Sequence, residues 1–138
     1  MPFARIDLIE GKPAEFRKAI GDVVYDAMVE HLKAPKDDRF QVITEHSASD
    51  FIFDPNYLDI SRTPDCVFIH LTLNEGRTVE MKRAFYKAVA DGLHARLKMR
   101  REDVLITLCY PQGPRSGRHH PGMPRRTRRR PLAQHQLP

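Results

Sequence analysis

Laid against itself at an offset of 65 residues, the sequence matches without a gap. Glu10-Gly11-Lys12 falls on Glu75-Gly76-Arg77, Glu15 on Glu80, Ala19 on Ala84, Val24 on Val89, Asp26 on Asp91, Leu32-Lys33 on Leu97-Lys98 and Asp38 on Asp103. No other feature narrows the architecture as far. A unit this short cannot bury its apolar face alone, so each copy must be one supersecondary element and the two must share a core.

Each unit reads as strand, helix, strand. The alternation from Phe3 to Leu8 and the apolar run from Val67 to Leu73 suit strands, and Gly11 and Gly76 mark the turns that follow. A first helix is expected from Pro13 to Leu32, with Phe16, Ile20, Val23, Val24, Ala27, Met28 and Leu32 on one stripe. The second repeats that stripe with Met81, Phe85, Ala88, Val89, Leu93 and Leu97. Pro13 suits a first helical position and Thr78 an N-cap, while Glu15 and Glu80 sit where the helix dipole favours an anion. Closing strands are expected at Phe40 to Thr44 and Val104 to Leu108. A helical crossover joins parallel strands. Two such units make an α+β fold, a four-stranded sheet with both helices on one face.

The other face would then lie bare. Phe3, Arg5 and Asp7 beside Phe68, His70 and Thr72 mix aromatic and polar character there, which suits a homo-oligomer interface. Residues 46 to 65 link the units as an irregular loop, with a short strand expected around Phe51 to Phe53.

Charge divides the chain. The formal charge is +5, yet residues 109 to 138 hold Arg115, Arg118, Arg125, Arg126, Arg128, Arg129 and Arg130 without an acid, together with six of the eleven prolines. The body upstream keeps sixteen basic residues against all 18 acidic ones. We therefore expect one domain over residues 1–108, with units at about 2–45 and 67–108, and a basic tail over 109–138 that buries too little to offset its ordering entropy. The Arg125 to Arg130 run lacks interleaved aromatics, so a solvated tail is expected rather than a nucleic-acid partner. No stretch approaches the roughly 20 apolar residues of a membrane span, and no basic segment with an apolar run opens the chain. A cytoplasmic protein without membrane contact is expected, with Cys66 and Cys109 as free, buried and inert thiols.

The repeat has one asymmetry with chemical content. Pro2 opens the first strand where Val67 opens the third. Removal of Met1 would leave a secondary amine at the sheet edge, and terminal amines titrate near enough to neutrality, at about 7.7 to 8.0, to serve as acid or base. No GxSxG, GxGxxG, phosphate loop or HExxH occurs, and His119, His120 and His135 lack acidic or cysteine partners in the tail. Neither a metal nor another cofactor is expected.

Met-Pro opening a strand, the tandem β-α-β units and the segment Asp38-Arg39-Phe40-Gln41 together resemble the tautomerase superfamily, in particular its malonate semialdehyde decarboxylase-like branch, over residues 2 to about 108. The resemblance implies Pro2, Asp38 and Arg77 as catalytic residues and a homotrimer as the assembly. A further family arginine falls on Glu75, a departure, and the family's aromatic Trp-Ser-Phe-Gly segment after the last strand is missing. The composition beyond that point matches an out-of-frame reading of a GC-rich gene. Arg77, beside Gly76 at a helix start, has the chemistry to clamp a carboxylate; Asp38 has the chemistry to orient the proline nitrogen or a carbonyl, while its partner Asp103 argues equally for a shared capping role. Gln41, Thr44 and His46 are further candidates for the same cleft. The function this implies is a cofactor-independent keto-enol tautomerase for a small 2-oxo or enol acid. The alternatives are a decarboxylase of a 3-oxo acid and a non-catalytic oligomeric body carrying a nucleic-acid-binding tail.

Overall fold

A computed structural model of the protein describes residues 2–111. Strand β1 (Phe3–Ile9) leads through α1 (Ala14–His31) to β2 (Gln41–His46), and β3 (Val67–Thr72) leads through α2 (Val79–Leu97) to β4 (Val104–Cys109). The sheet order is β2-β1-β3-β4. Within each unit the strands run parallel, Ala4 opposite Gln41 and Val67 opposite Val104, as a helical crossover requires. The units meet along an antiparallel β1–β3 seam, with Phe3 opposite Thr72 and Leu8 opposite Val67. The fold is therefore the two-fold-repeated sandwich expected from the sequence.

Alternation along the strands sorts the two faces. Ala4, Ile6 and Leu8 of β1 and Val67, Ile69 and Leu71 of β3 point to the helices, where they form one buried cluster with Ile20, Val24 and Met28 of α1 and Phe85, Val89 and Leu93 of α2. Each large side chain so buried contributes about 1.5–3 kcal/mol of hydrophobic free energy. The helices touch closely at Gly92, where an added Cβ would stand 2.8 Å from Cγ1 of Val23. Both strand-to-helix turns pass through a glycine at positive φ, Gly11 at 121° and Gly76 at 113°, a region that side-chain-bearing residues avoid.

Local differences from the sequence reading have identifiable causes. Pro13 stands one residue before α1 as its N-cap position rather than as the first helical residue, whereas Thr78 caps α2 by accepting the Met81 N–H at 3.2 Å. Strand β2 extends two residues past Thr44 because its polar end finds partners: Glu45 pairs with Arg17 of α1, and His46 Nε2 lies 2.7 Å from Asp7 Oδ1. Phe51 to Phe53 form no strand. Phe51 instead folds over the face opposite the helices and stacks on Phe68, ring centroids 4.4 Å apart, so that face is partly covered. Cys66 is buried as expected, but Cys109, which closes edge strand β4, is exposed. Strand β4 runs one residue past the expected boundary at 108, and the expectation of a disordered tail falls on residues outside those described. Among the described residues no helix is long and apolar enough to cross a membrane.

Phe85 is fully buried between α2 and the sheet. Phe85→Ala should lower the unfolding free energy by about 3–5 kcal/mol, read from the denaturant midpoint of the full chain at unchanged slope.

Candidate active site

Parallel pairing inside the units and antiparallel pairing between them fix which chain segments share an end of the sheet. Where β1 begins, β2 begins beside it and β3 and β4 end. The same end carries the C-terminus of α1 and the N-terminus of α2. Pro2, buried, precedes Phe3 there; Asp38, half-buried, lies in the turn before β2; Arg77, half-buried, lies between β3 and α2. The backbone ties these segments together, the Ala4 N–H donating to Phe40 O at 3.0 Å. Met1, whose removal would free the Pro2 nitrogen, is outside the described residues.

Arg77 does not reach over the start of α2. Its Nε donates to the Leu32 carbonyl at 3.0 Å and its Nη1 to the Asn74 carbonyl at 2.6 Å. The guanidinium thereby satisfies an orphan carbonyl at the C-terminus of α1, where the helix dipole welcomes a cation. A guanidinium has five N–H donors, so the remaining ones stay available to an anion. Arg77 lines a cavity of about 220 Å3 together with Leu32, Lys33, Glu75, Gly76 and Met81; neither Pro2 nor Asp38 is among its lining residues. Lys33 is a cation that the sequence reading did not single out. Its one signal was the doubled Leu-Lys at the end of each helix, where Lys33 and Lys98 both adopt φ 55°.

The two repeat-related aspartates part company. Asp103 is 1 % exposed, and its carboxylate accepts both the Thr63 N–H and the Thr63 hydroxyl at 2.7 Å. It closes the linker onto the domain. The Asp38 carboxylate makes no such bond among the described residues, although its N–H donates to Pro35 O at 3.3 Å. A common capping role for the pair is therefore not what the fold contains. Two other sequence candidates are engaged elsewhere: Gln41 Nε2 donates to the Gly21 carbonyl under the sheet, and His46 stands opposite Ile9 at the far end of β2. Thr44 pairs with Asp7 in mid-sheet. Burial, with the negative charge of Asp103 nearby, pushes the Cys66 thiol up to about 11, so at neutral pH it is protonated and a poor nucleophile.

Family models described as tautomerase enzyme match residues 38–112 and 2–59. The Bacillus subtilis (strain 168) protein named probable tautomerase YusQ is 39% identical over 109 residues, spanning 79% of this chain and 86% of that protein. The chain belongs to the tautomerase family. Among solved structures of that fold, FG41 malonate semialdehyde decarboxylase inhibited by 3-bromopropiolate superposes with a TM-score of 0.72 at 39% identity, covering 78% of this chain and 82% of that one. A symmetric trimer of a wild-type fused 4-OT, 24% identical with a TM-score of 0.64 over 78% of this chain and 84% of that one, shares the fold. The matched region runs through both units and includes all three residues singled out at the Pro2 end.

The contrast between the aspartates is measurable as stability. Asp103→Ala removes the acceptor of two half-buried Thr63 donors and should cost about 1–3 kcal/mol in all. Asp38→Ala should stay within about 0.5 kcal/mol of wild type in the same urea titration.

Proposed function

We propose that the protein is a keto-enol tautomerase for a small 2-oxo or enol acid, with Pro2 as its acid-base group after removal of Met1. What supports this reading is that the segments bearing Pro2, Asp38 and Arg77 share one end of the sheet, in a chain that is 39% identical to a probable tautomerase. In ketonisation the neutral Pro2 nitrogen takes the enol hydroxyl proton, the carbonyl forms, and the same nitrogen returns a proton to the adjacent carbon. Nothing is oxidised or reduced. Arg77 holds the substrate carboxylate through donors left over from its two carbonyl bonds. Asp38, unengaged by the linker, orients the proline nitrogen or the carbonyl.

A second reading, decarboxylation of a 3-oxo acid, is favoured by the likeness to malonate semialdehyde decarboxylase. Against it stands Glu75, whose carboxylate borders the same cavity as Arg77 and repels an incoming carboxylate. Loss of CO2 needs that carboxylate held firmly out of line with the carbonyl. Enol ketonisation needs less, one anchoring cation and one base of suitable pKa.

We further propose a homotrimer assembled through the face opposite the helices. Arg5 and His70 are exposed on it, and Val42 is 45% exposed, so the isolated chain leaves apolar surface bare. Native mass spectrometry should report three chains and lack Met1 in each.

With phenylpyruvate enol as substrate, Pro2→Ala should lower kcat by about 100- to 10,000-fold. Arg77→Ala should lower kcat/KM by about 10- to 100-fold, chiefly through KM, as expected for loss of a charge-assisted hydrogen bond. Glu75→Arg should improve the handling of anionic 3-oxo acids. Efficient decarboxylation of malonate semialdehyde by the wild type, with every enol ignored, would overturn the tautomerase reading in favour of the second.

A further inference from the structure

The residues assigned to the Pro2 end have repeat partners at the opposite end of the sheet. Arg77 corresponds to Lys12, Asp38 to Asp103, Lys33 to Lys98 and Met81 to Phe16. Two adjoining cavities lie there, of about 280 and 260 Å3, and Lys12, Phe16 and Asp65 line both. Each exceeds the cavity of about 220 Å3 beside Arg77.

Two linker residues, Thr63 and Asp65, engage the polar groups of this second end. An Asp65 carboxylate oxygen stands 3.0 Å from the Lys12 ammonium. The Thr63 hydroxyl and N–H both donate to Asp103. Thr63, Pro64 and Asp65 immediately precede Cys66 and Val67, and Val67 is the repeat partner of Pro2. The chemistry proposed for Pro2 requires nothing ahead of it, whereas in the second unit the linker leads into Val67 and borders the cavities with the Thr63 and Asp65 side chains.

We infer that the Lys12 end is a second carboxylate-binding site, held in the resting protein by the protein's own Asp65, and that it accepts a small carboxylic acid when the Asp65 carboxylate is withdrawn. The correspondence of Lys12 with an anchoring Arg77 rests on the tautomerase reading; the contacts of Lys12 do not. Lys12 lies 5.2 Å from the Phe16 ring centroid, and Leu8, Ile9 and Phe16 line the larger cavity; Glu10 lines it too, as its repeat partner Glu75 lines the cavity beside Arg77, so the cations have that one acid to outweigh. An acid with a short apolar body fits that lining. Lys98 and Arg100 border the adjoining cavity and add positive charge, while the charge of Asp103 is met by its two hydrogen bonds from Thr63. Val67 brings no amine, so the ligand is bound and not turned over.

Tethering explains why the site is closed to dilute acids. A carboxylate on a short connection competes at an effective concentration on the order of millimolar or above. The closure is nevertheless cheap to open, because the Lys12 and Asp65 side chains are 37% and 64% exposed and such pairs contribute little to stability.

The experiment is an amide-resolved NMR titration of the 15N-labelled full-length chain with 3-phenyllactate, an unreactive analogue of a phenylpyruvate enol. In Asp65→Ala, Lys12, Phe16 and Lys98 should show saturable shifts with a Kd at least about ten-fold below that of wild type. Lys12→Met added to Asp65→Ala should remove them. Asp65→Asn, close in shape, should behave as Asp65→Ala does and covers the case in which alanine disturbs the loop. Shifts at the Lys12 end without any enol ketonisation by the wild type would overturn the tautomerase reading and leave this site standing. Intact ketonisation with a silent Lys12 end in both Asp65 variants would overturn the site alone.

Discussion

The antiparallel β1–β3 seam is the contact on which the rest of the molecule depends. Each unit alone offers two parallel strands and one amphipathic helix, a half-core that cannot close. Pairing Phe3 with Thr72 and Leu8 with Val67 sets Ala4, Ile6 and Leu8 in line with Leu71, Ile69 and Val67, so both helices find one continuous apolar floor. A shift of one residue would turn that row toward the opposite face. The register that builds the core also sets the proposed site, because it brings the start of one unit to the same sheet end as the strand-to-helix turn of the other. Pro2 comes from the first unit and Arg77 from the second, and only the seam makes them neighbours along the sheet end.

Symmetry of the scaffold then makes the differences between its ends informative. The turns match in backbone, with Gly11 and Gly76 at similar positive φ and Lys33 and Lys98 at the same φ of 55°. The side chains are used differently. Arg77 spends two donors on carbonyls of its own end, whereas Lys12 meets a carboxylate from the linker. Asp103 is consumed by Thr63, and Asp38 is not. Duplication supplied two equivalent frames, and the linker needed to join them lies against one.

Most of the fold was legible in the sequence because the repeat and the apolar periodicities agree with each other at every element. Features decided by contacts far along the chain were not. His46 reads as the polar end of a loop until Asp7, 39 residues away, is found 2.7 Å from it. Phe51-Ile52-Phe53 has the composition of a strand, yet the seam occupies both inner edges of β1 and β3, and Phe51 is better buried on Phe68. At the candidate site, Pro2, Asp38 and Arg77 were readable as positions, through family resemblance and the repeat. What sequence could not supply was the direction of the Arg77 side chain or the separation of Asp38 from Asp103, since both depend on partners, Leu32 and Thr63, that carry no motif.

The direction of Arg77 bears on how it would anchor a substrate carboxylate. A free surface arginine loses rotamer freedom when it grips a carboxylate, and that loss is subtracted from the binding energy. Here the bonds to Leu32 and Asn74 have already fixed the planar fork, so the ordering is done by the fold and less is lost on binding. The same bonds limit what the residue can do, because a guanidinium held by two carbonyls cannot follow a substrate that moves far during reaction. Proton transfer between the oxygen and the adjacent carbon of an enol moves the carboxylate little. Breaking the bond to that carboxylate changes its position and charge together. A tethered arginine would therefore suit the first reaction better than the second, quite apart from the charge repulsion that Glu75 adds.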